Sequence, residues 1–227
     1  MRFPLGTECA RGYTAGHDYL ETRVKLNLGC GSQTPEGWLN VDYSAGARVM
    51  KIPFFRALNR KMGIFALDWN RQVFLHDLRR RFPWPDSTAD VIYISHTLEH
   101  FSREDGRRLL SECHRVLRMN GIIRILVPDL RCAVDDYIGG LVRADEFVEK
   151  LGVLYGTGKR GLKFGLSPFV EFPHKCMYDA SSLLGILDAA GFQSREKAAF
   201  DSDIDDIRTI ELEDRTRRAV VVEGRKR

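Results

Sequence analysis

Apolar residues recur along this chain at two periods, and their alternation outlines a layered α/β protein. Val24-Lys25-Leu26-Asn27-Leu28 alternates apolar and polar positions as a strand does, and it runs directly into the glycine turn Gly29-Cys30-Gly31. Beyond Thr34-Pro35-Glu36-Gly37, the stretch Trp38-Leu39-Asn40-Val41-Asp42 predicts a second strand that ends on a carboxylate. The residues between the two strands are too few for a full crossover helix, so any helix there is limited to a turn or two. Val73-Phe74-Leu75-His76-Asp77 predicts a third strand, Phe82-Pro83-Trp84-Pro85-Asp86-Ser87 a rigid turn, and Asp90-Val91-Ile92-Tyr93-Ile94-Ser95 a nearly unbroken apolar strand. Such a run suits a parallel sheet covered on both faces.

Ser102-Arg103-Glu104-Asp105 has the form of a capping box. Leu109, Leu110, Cys113, Val116 and Leu117 then mark one face of a helix expected to stop at Asn120-Gly121. Ile122 to Val127 predicts another buried strand, closed by Pro128-Asp129. From Lys51 to Phe65, apolar residues at three- and four-residue spacing alternate with Arg56, Arg60 and Lys61, which predicts a basic amphipathic helix between strands. The chain closes with a helix over Ala180 to Ala190, a stop at Gly191-Phe192, and strands over Arg195 to Phe200 and Arg218 to Glu223. The expected architecture is α/β: a Rossmann-like, mostly parallel sheet flanked by helices, with an antiparallel strand near the C-terminus. It forms a single domain over 1–227, in which 24–128 is a ligand-binding core, 129–180 a lid or substrate insertion, and 181–227 the C-terminal helix and strands. The insertion reads as a lid because a long irregular segment after a strand is usually functional, and glycines at 139, 140, 152, 156, 158, 161 and 165 leave its backbone few restraints.

Composition narrows the function. Apolar residues at 44% and charged residues at 29% are those of a water-soluble globular chain, and no apolar run approaches the ~18–20 residues of a membrane span. The N-terminus has no apolar core of a secretion signal. Five scattered cysteines without a Cys-x-x-Cys pair suggest neither a disulfide framework nor a cysteine zinc site, so the expected compartment is the cytoplasm and no metal is expected. A net charge of +4 is too small for a dedicated nucleic-acid binder. The helix from Lys51 to Phe65 could rest on an anionic membrane, but burial of its apolar face against the lid is the more ordinary expectation.

A strand, a Gly-x-Gly loop and a second strand ending in Asp form an adenosine-binding arrangement. Glycine lets the backbone approach the ligand, and the carboxylate accepts both ribose hydroxyls. Gly29, Gly31 and Asp42 occupy those positions. Thr34 stands where the dinucleotide fingerprint needs a third glycine, which disfavours a nicotinamide cofactor. The ordered set Leu26-Asn27-Leu28-Gly29-Cys30-Gly31, Asn40-Val41-Asp42, His76-Asp77-Leu78, Asp90 to Ser95 followed by His96-Thr97-Leu98-Glu99-His100, and Arg115 to Gly121 resembles the class I S-adenosylmethionine-dependent methyltransferases of the type 11 kind over residues 24–128. His174-Lys175-Cys176-Met177-Tyr178-Asp179 and the helix ending Ala190-Gly191-Phe192 further resemble predicted methyltransferases associated with polysaccharide biosynthesis.

That resemblance implies S-adenosyl-L-methionine as cofactor, with Gly29, Cys30 and Gly31 against its methionine part and Asp42 on the ribose hydroxyls. It places Asp77 and Leu78 near the adenine, and Ser95 and His96 at the mouth of the fourth strand. Asn27 stands where the family carries an acid, and Gln33 where it carries a third glycine. A hydroxyl nucleophile needs a base, and histidine supplies one near neutral pH. His96, at the strand mouth, and His174, on the insertion, are the candidate catalytic residues; His100 is expected to brace the helix that follows, with Asp129 and Tyr178 next in line. The Asn/Asp-Pro-Pro-aromatic motif of amine methylation on bases is replaced here by Ser95-His96-Thr97-Leu98. The expected partner is therefore a small-molecule acceptor, such as a saccharide, rather than nucleic acid. The alternative is a module that binds the adenosine cofactor without catalysis, as a pathway scaffold or sensor.

Overall fold

The computed structural model of the chain describes residues 23–49, 51–52, 72–154 and 172–227. Its strands are β1 (Lys25–Leu28), β2 (Leu39–Asp42), β3 (Phe74–Leu75), β4 (Ala89–Ser95), β5 (Leu117–Pro128), β6 (Phe192–Glu196) and β7 (Ala219–Lys226). They form one sheet in the order β3-β2-β1-β4-β5-β7-β6. β1 to β5 pair in parallel, and β7 is antiparallel to both of its neighbours. The helices are α1 (Ala45–Val49), α2 (Arg103–Val116), α3 (Leu130–Ile138), α4 (Ala144–Lys150), α5 (Ala180–Ala189) and α6 (Glu213–Thr216). The amphipathic helix expected over Lys51 to Phe65 lies, after its first two residues, outside the described residues, as does 155–171 of the insertion. No helix among the described residues is long and apolar enough to cross a membrane.

The pleat sorts side chains onto two faces. Leu26, Leu28, Ile92, Ile94, Ile123 and Ile125 meet α2 and α5 on one face, where Leu109, Leu110, Cys113, Val116, Leu183 and Leu187 are fully buried. On the other face Tyr93 and Leu126 pack with Trp38 and with Ile204, Ile207 and Ile210 of the irregular segment between β6 and β7. An irregular cover has backbone carbonyls that no ladder satisfies. Arg124, fully buried in the middle of β5, answers them. Its guanidinium donates to the carbonyls of Asp201 (2.8 Å) and Ala198 (3.1 Å), forms a bidentate pair with Glu211 (2.6 and 2.9 Å) and reaches Glu223 at 3.3 Å. The two carboxylates in turn accept the N–H groups of Phe200 (2.5 Å) and Asp203 (3.1 Å).

Several boundaries differ from the pattern: β3 keeps only two of its expected residues and β7 runs on to Lys226. α2 begins as expected, with Ser102 Oγ accepting the Asp105 N–H at 3.1 Å, but it ends at Val116 rather than at Asn120-Gly121. Leu117 already pairs with Ala89, and the turn at Asn120 (φ 63°) takes up the extra residues before Ile122 pairs with Val91. β6 begins at Phe192, three residues before the expected start, because Gly191 (φ 93°) turns the chain at once and Phe192 enters the core. It stops at Glu196 because the following residues leave the sheet to meet Arg124. Between β1 and β2 there are only turns. The buried Asn27 amide donates to the Gln33 carbonyl (3.0 Å) and to Asn40 Oδ1 (2.8 Å), while Asn40 donates to the Trp38 carbonyl (3.0 Å). This buried amide pair fixes the connection without a helix, and it explains why Asn stands at 27.

Arg124→Met leaves Glu211 and Glu223 buried together without their counter-charge. It is expected to lower stability by about 3–5 kcal/mol in urea unfolding. A loss below about 1 kcal/mol would show that the network does not hold the 197–211 cover.

Candidate active site

The carboxyl ends of β1, β2 and β4 converge on one edge of the sheet. Gly29 (φ 73°) donates its N–H to the Val41 carbonyl at 2.8 Å, and a Cβ built on it would lie 2.2 Å from Thr97 Oγ1. Only glycine allows both that angle and that approach. Thr97 Oγ1 donates back to the Gly29 carbonyl at 3.3 Å, so the glycine loop and the turn after β4 are held as one unit. Gly31 (φ 57°) faces open space where its Cβ would be, and its N–H donates to Asp42 Oδ2 at 2.9 Å. Asp42 Oδ1 accepts the Ser44 N–H at 2.6 Å. The Asp42 carboxylate is therefore held at the end of β2 by backbone donors, with lone pairs left for a ligand. Burial, reinforced by the Asp42 charge, pushes the Cys30 thiol up to about 12, which makes it unreactive.

Asp77 follows β3, and its two oxygens receive Arg79 Nε (2.9 Å) and Nη2 (2.7 Å). That hydrogen-bonded guanidinium holds the carboxyl below its ordinary range. Leu78 belongs to the buried core beneath, beside Phe82. Ser95 ends β4 with its Oγ buried and without a hydrogen-bond partner.

The turn after β4 is where the chemistry concentrates. His96 stands at φ 48°, an angle rarely adopted by a residue with a side chain and one that gathers at functional sites. Its Nε2 meets the Arg215 carbonyl at 2.8 Å, and its Nδ1 lies 3.6 Å from Glu99 Oε1. Burial works against the charged ring, yet the Glu99 carboxylate and the Arg215 carbonyl outweigh it and raise the His96 pKa above its ordinary value. The Glu99 side chain is 1% exposed, and neither of its oxygens has a hydrogen-bond partner. His174 comes from the insertion, with Nδ1 2.7 Å from the Leu151 carbonyl and Nε2 4.0 Å from the same Glu99 oxygen. His100 packs on His174, with ring centroids 5.1 Å apart, and its Nδ1 is 3.4 Å from the Pro173 carbonyl. Burial lowers its pKa.

His96 and His174, far apart in sequence, thus line one cleft of about 310 Å³, with an apolar floor that includes Val142, Phe147 and Met177 and a rim of Asp129, Lys150 and Arg218. Asp129 caps α3 through the Arg131 N–H at 2.9 Å, and Tyr178 is buried beside it. The sequence reading missed Glu99, although it stands between His96 and His100 in the stretch already noted. It also missed the Arg215 carbonyl, which no sequence pattern announces. On the cofactor side, the open space at Gly31, the buried Asp42 carboxylate and the orphaned Ser95 Oγ fit a nucleoside with hydroxyls and an amino-acid tail. Asp77 has for a ligand only what Arg79 leaves free.

Residues 26–125 match the family model described as a methyltransferase domain. No curated protein matches the sequence. A protein from Pyrococcus horikoshii is similar in structure at 14% identity, covering 92% of this chain and 84% of that one, with a TM-score of 0.50. A S-adenosylmethionine-dependent methyltransferase from Methanosarcina mazei is 16% identical over 92% of this chain and 94% of that one (TM-score 0.49). Another from Archaeoglobus fulgidus is 19% identical over 90% and 86% (TM-score 0.46). At these identities the Pyrococcus likeness is one of fold.

Asp42→Ala removes a charged acceptor of two ribose hydroxyls. It is expected to weaken S-adenosylmethionine binding by about 10- to 150-fold in calorimetry, and an unchanged constant would remove Asp42 from the site.

Proposed function

We propose that this chain, whose residues 26–125 match a methyltransferase-domain model, is a class I S-adenosylmethionine-dependent methyltransferase that methylates a hydroxyl of a saccharide or another small hydroxylated acceptor in the cytoplasm. The observation that carries the reading is the convergence of His96 and His174 on one cleft, with His96 next in the chain to Thr97, whose hydroxyl donates to the Gly29 carbonyl. When bound, S-adenosylmethionine supplies an electrophilic methyl group on a positively charged sulfur. Gly29, Cys30, Gly31 and Asp42 would hold its amino-acid and ribose parts, with Asp77, Leu78 and Ser95 around them.

The chain's own part is to hold the acceptor oxygen, exclude water and take a proton. The carbonyls of Arg215 and Leu151 occupy one nitrogen of His96 and His174 respectively, and the other nitrogen of each turns toward Glu99. A hydroxyl entering between them can pass its proton to His96 Nδ1, and the buried Glu99 charge stabilises the imidazolium so formed. An apolar floor under a polar rim suits a sugar-sized acceptor. The described residues of the insertion, 129–154 and 172–180, act as the cover: neither α3 nor α4 has a buried residue, and they meet through Tyr137 and Phe147 at 5.1 Å. Membership of a polysaccharide pathway agrees with such an acceptor.

The test is release of S-adenosylhomocysteine against a panel of nucleotide sugars, glycosides and small phenols. Turnover with none of them, alongside firm cofactor binding, would favour the scaffold reading. His96→Gln is expected to lower kcat by about 10²-fold while cofactor affinity stays within a few-fold. Near wild-type turnover in both His96→Gln and His174→Gln would assign proton removal elsewhere. Hydrogen exchange in 129–154 and 172–180 is expected to slow on adding S-adenosylhomocysteine with acceptor, relative to Ile122 to Val127. Equal protection with and without ligands would rule out a closing cover.

A further inference from the structure

We infer that Glu99, His100 and His174 form a binding site for one divalent transition-metal ion of the zinc type, with coordination positions left open for an acceptor hydroxyl. One donor atom from each of the three lies within 4.8 Å of the others. The cluster is built from two remote segments locked together: the Glu99 carbonyl accepts the N–H groups of Lys175 (2.7 Å) and Cys176 (3.1 Å), and the His174 N–H donates to the Gly152 carbonyl at 2.9 Å. Gly152 (φ 69°) leaves room for the His174 ring, since a Cβ there would come within 3.0 Å of it.

Hydrogen-bond logic shows what the cluster lacks. A carbonyl only accepts, so the ring nitrogen facing it carries the hydrogen, and the opposite nitrogen of a neutral imidazole presents a lone pair. The Leu151 carbonyl fixes His174 in this way, and the Pro173 carbonyl fixes His100. The freed Nε2 of His174 lies 4.0 Å from a Glu99 oxygen, and neither Glu99 oxygen receives any donor. Acceptors therefore face acceptors around a carboxylate whose own oxygens are closed to water, with His96 Nδ1 3.6 Å from one of them, and the arrangement costs free energy unless a cation sits among them. Backbone carbonyls behind the imidazoles are also the usual outer partners of metal-ligating histidines.

The donor set selects the ion. Two imidazoles and one carboxylate suit zinc and its first-row neighbours, whereas magnesium and calcium prefer oxygen throughout. Ligands about 2.0–2.2 Å from a common ion lie about 3–4 Å apart, within small rotations of the present side chains. Three protein ligands leave at least one position open, the pattern of catalytic rather than structural zinc. His174 belongs to both the cluster and the cleft. This role rests on the acceptor reading above, in which a metal-bound hydroxyl would lose its proton more readily and His96 would receive it.

The experiment is a titration of the chelator-treated full chain with Co²⁺, followed by visible d–d absorption. Competition with Zn²⁺ and calorimetry of S-adenosylhomocysteine on the metal-free protein run alongside. One equivalent of Co²⁺ is expected to give a d–d spectrum that Zn²⁺ abolishes, with affinity reduced about 100-fold or more in both Glu99→Gln and His174→Ala. The wild-type spectrum decides the matter even if Glu99→Gln fails to fold, and cofactor calorimetry reports whether each variant is intact. No spectrum from a wild-type chain that binds the cofactor overturns the metal site alone and leaves Glu99 with the His96 ring 3.6 Å away as its partner. Undiminished Co²⁺ binding in both variants also overturns it. A site-specific spectrum from a chain that binds no cofactor sustains the metal site and overturns the methyltransferase reading it serves.

Discussion

A carboxylate buried in the turn after β4, with no hydrogen bond to either oxygen, is the constraint around which the active edge is arranged. Taking such a group out of water is unfavourable unless positive charge or strong donors reach it. The chain brings three imidazoles toward it, from residues 96, 100 and 174. Its backbone carbonyl, in turn, anchors the end of the insertion through Lys175 and Cys176. Two residues earlier, Thr97 fills the space that Gly29 leaves, so the glycine loop is registered against the same turn. One short segment thus contacts the glycine loop, the cleft and the end of the insertion. Distortion at His96, with its left-handed backbone, is the structural counterpart of that crowding.

The molecule handles its other buried charge differently. Arg124 uses all its donors, two carboxylates and two loop carbonyls surrounding it, and the result is a fixed support. That support has consequences at the active edge, because the segment it holds reaches both the glycine loop, where the Gln33 amide donates to the Ile210 carbonyl, and His96, where the Arg215 carbonyl fixes the ring. A satisfied network gives rigidity, while a half-satisfied one invites a ligand. The contrast between Arg124 and Glu99 is the reason for reading the first as architecture and the second as chemistry.

The sheet was legible because its strands carry strong local signals: alternation in β1, unbroken apolar runs in β4 and β5, and glycine or proline at their ends. The turn at Gly29 and Gly31 and the carboxylate ending β2 were legible for the same reason, since angle and charge at a strand end are local requirements. The end of α2 was misplaced because Asn120-Gly121 is a true turn signal that tertiary pairing of Leu117 overrides. The segment from 197 to 217 carries little periodicity, and its place is fixed by Arg124, Glu211 and Glu223, whose mutual neutralisation is a long-range event. An arginine inside an otherwise apolar strand was the available clue. Glu99 was overlooked because burial, not residue type, gives it meaning, and burial there depends on residue 174 folding back over residue 99.

The most direct measurement is a crystal structure with S-adenosylhomocysteine bound. The account predicts ribose hydroxyls on Asp42, the amino-acid tail along Gly29 to Gly31, and the sulfur facing the cleft shared by His96 and His174. A product molecule lodged elsewhere, or one whose sulfur faces away from that cleft, would contradict it.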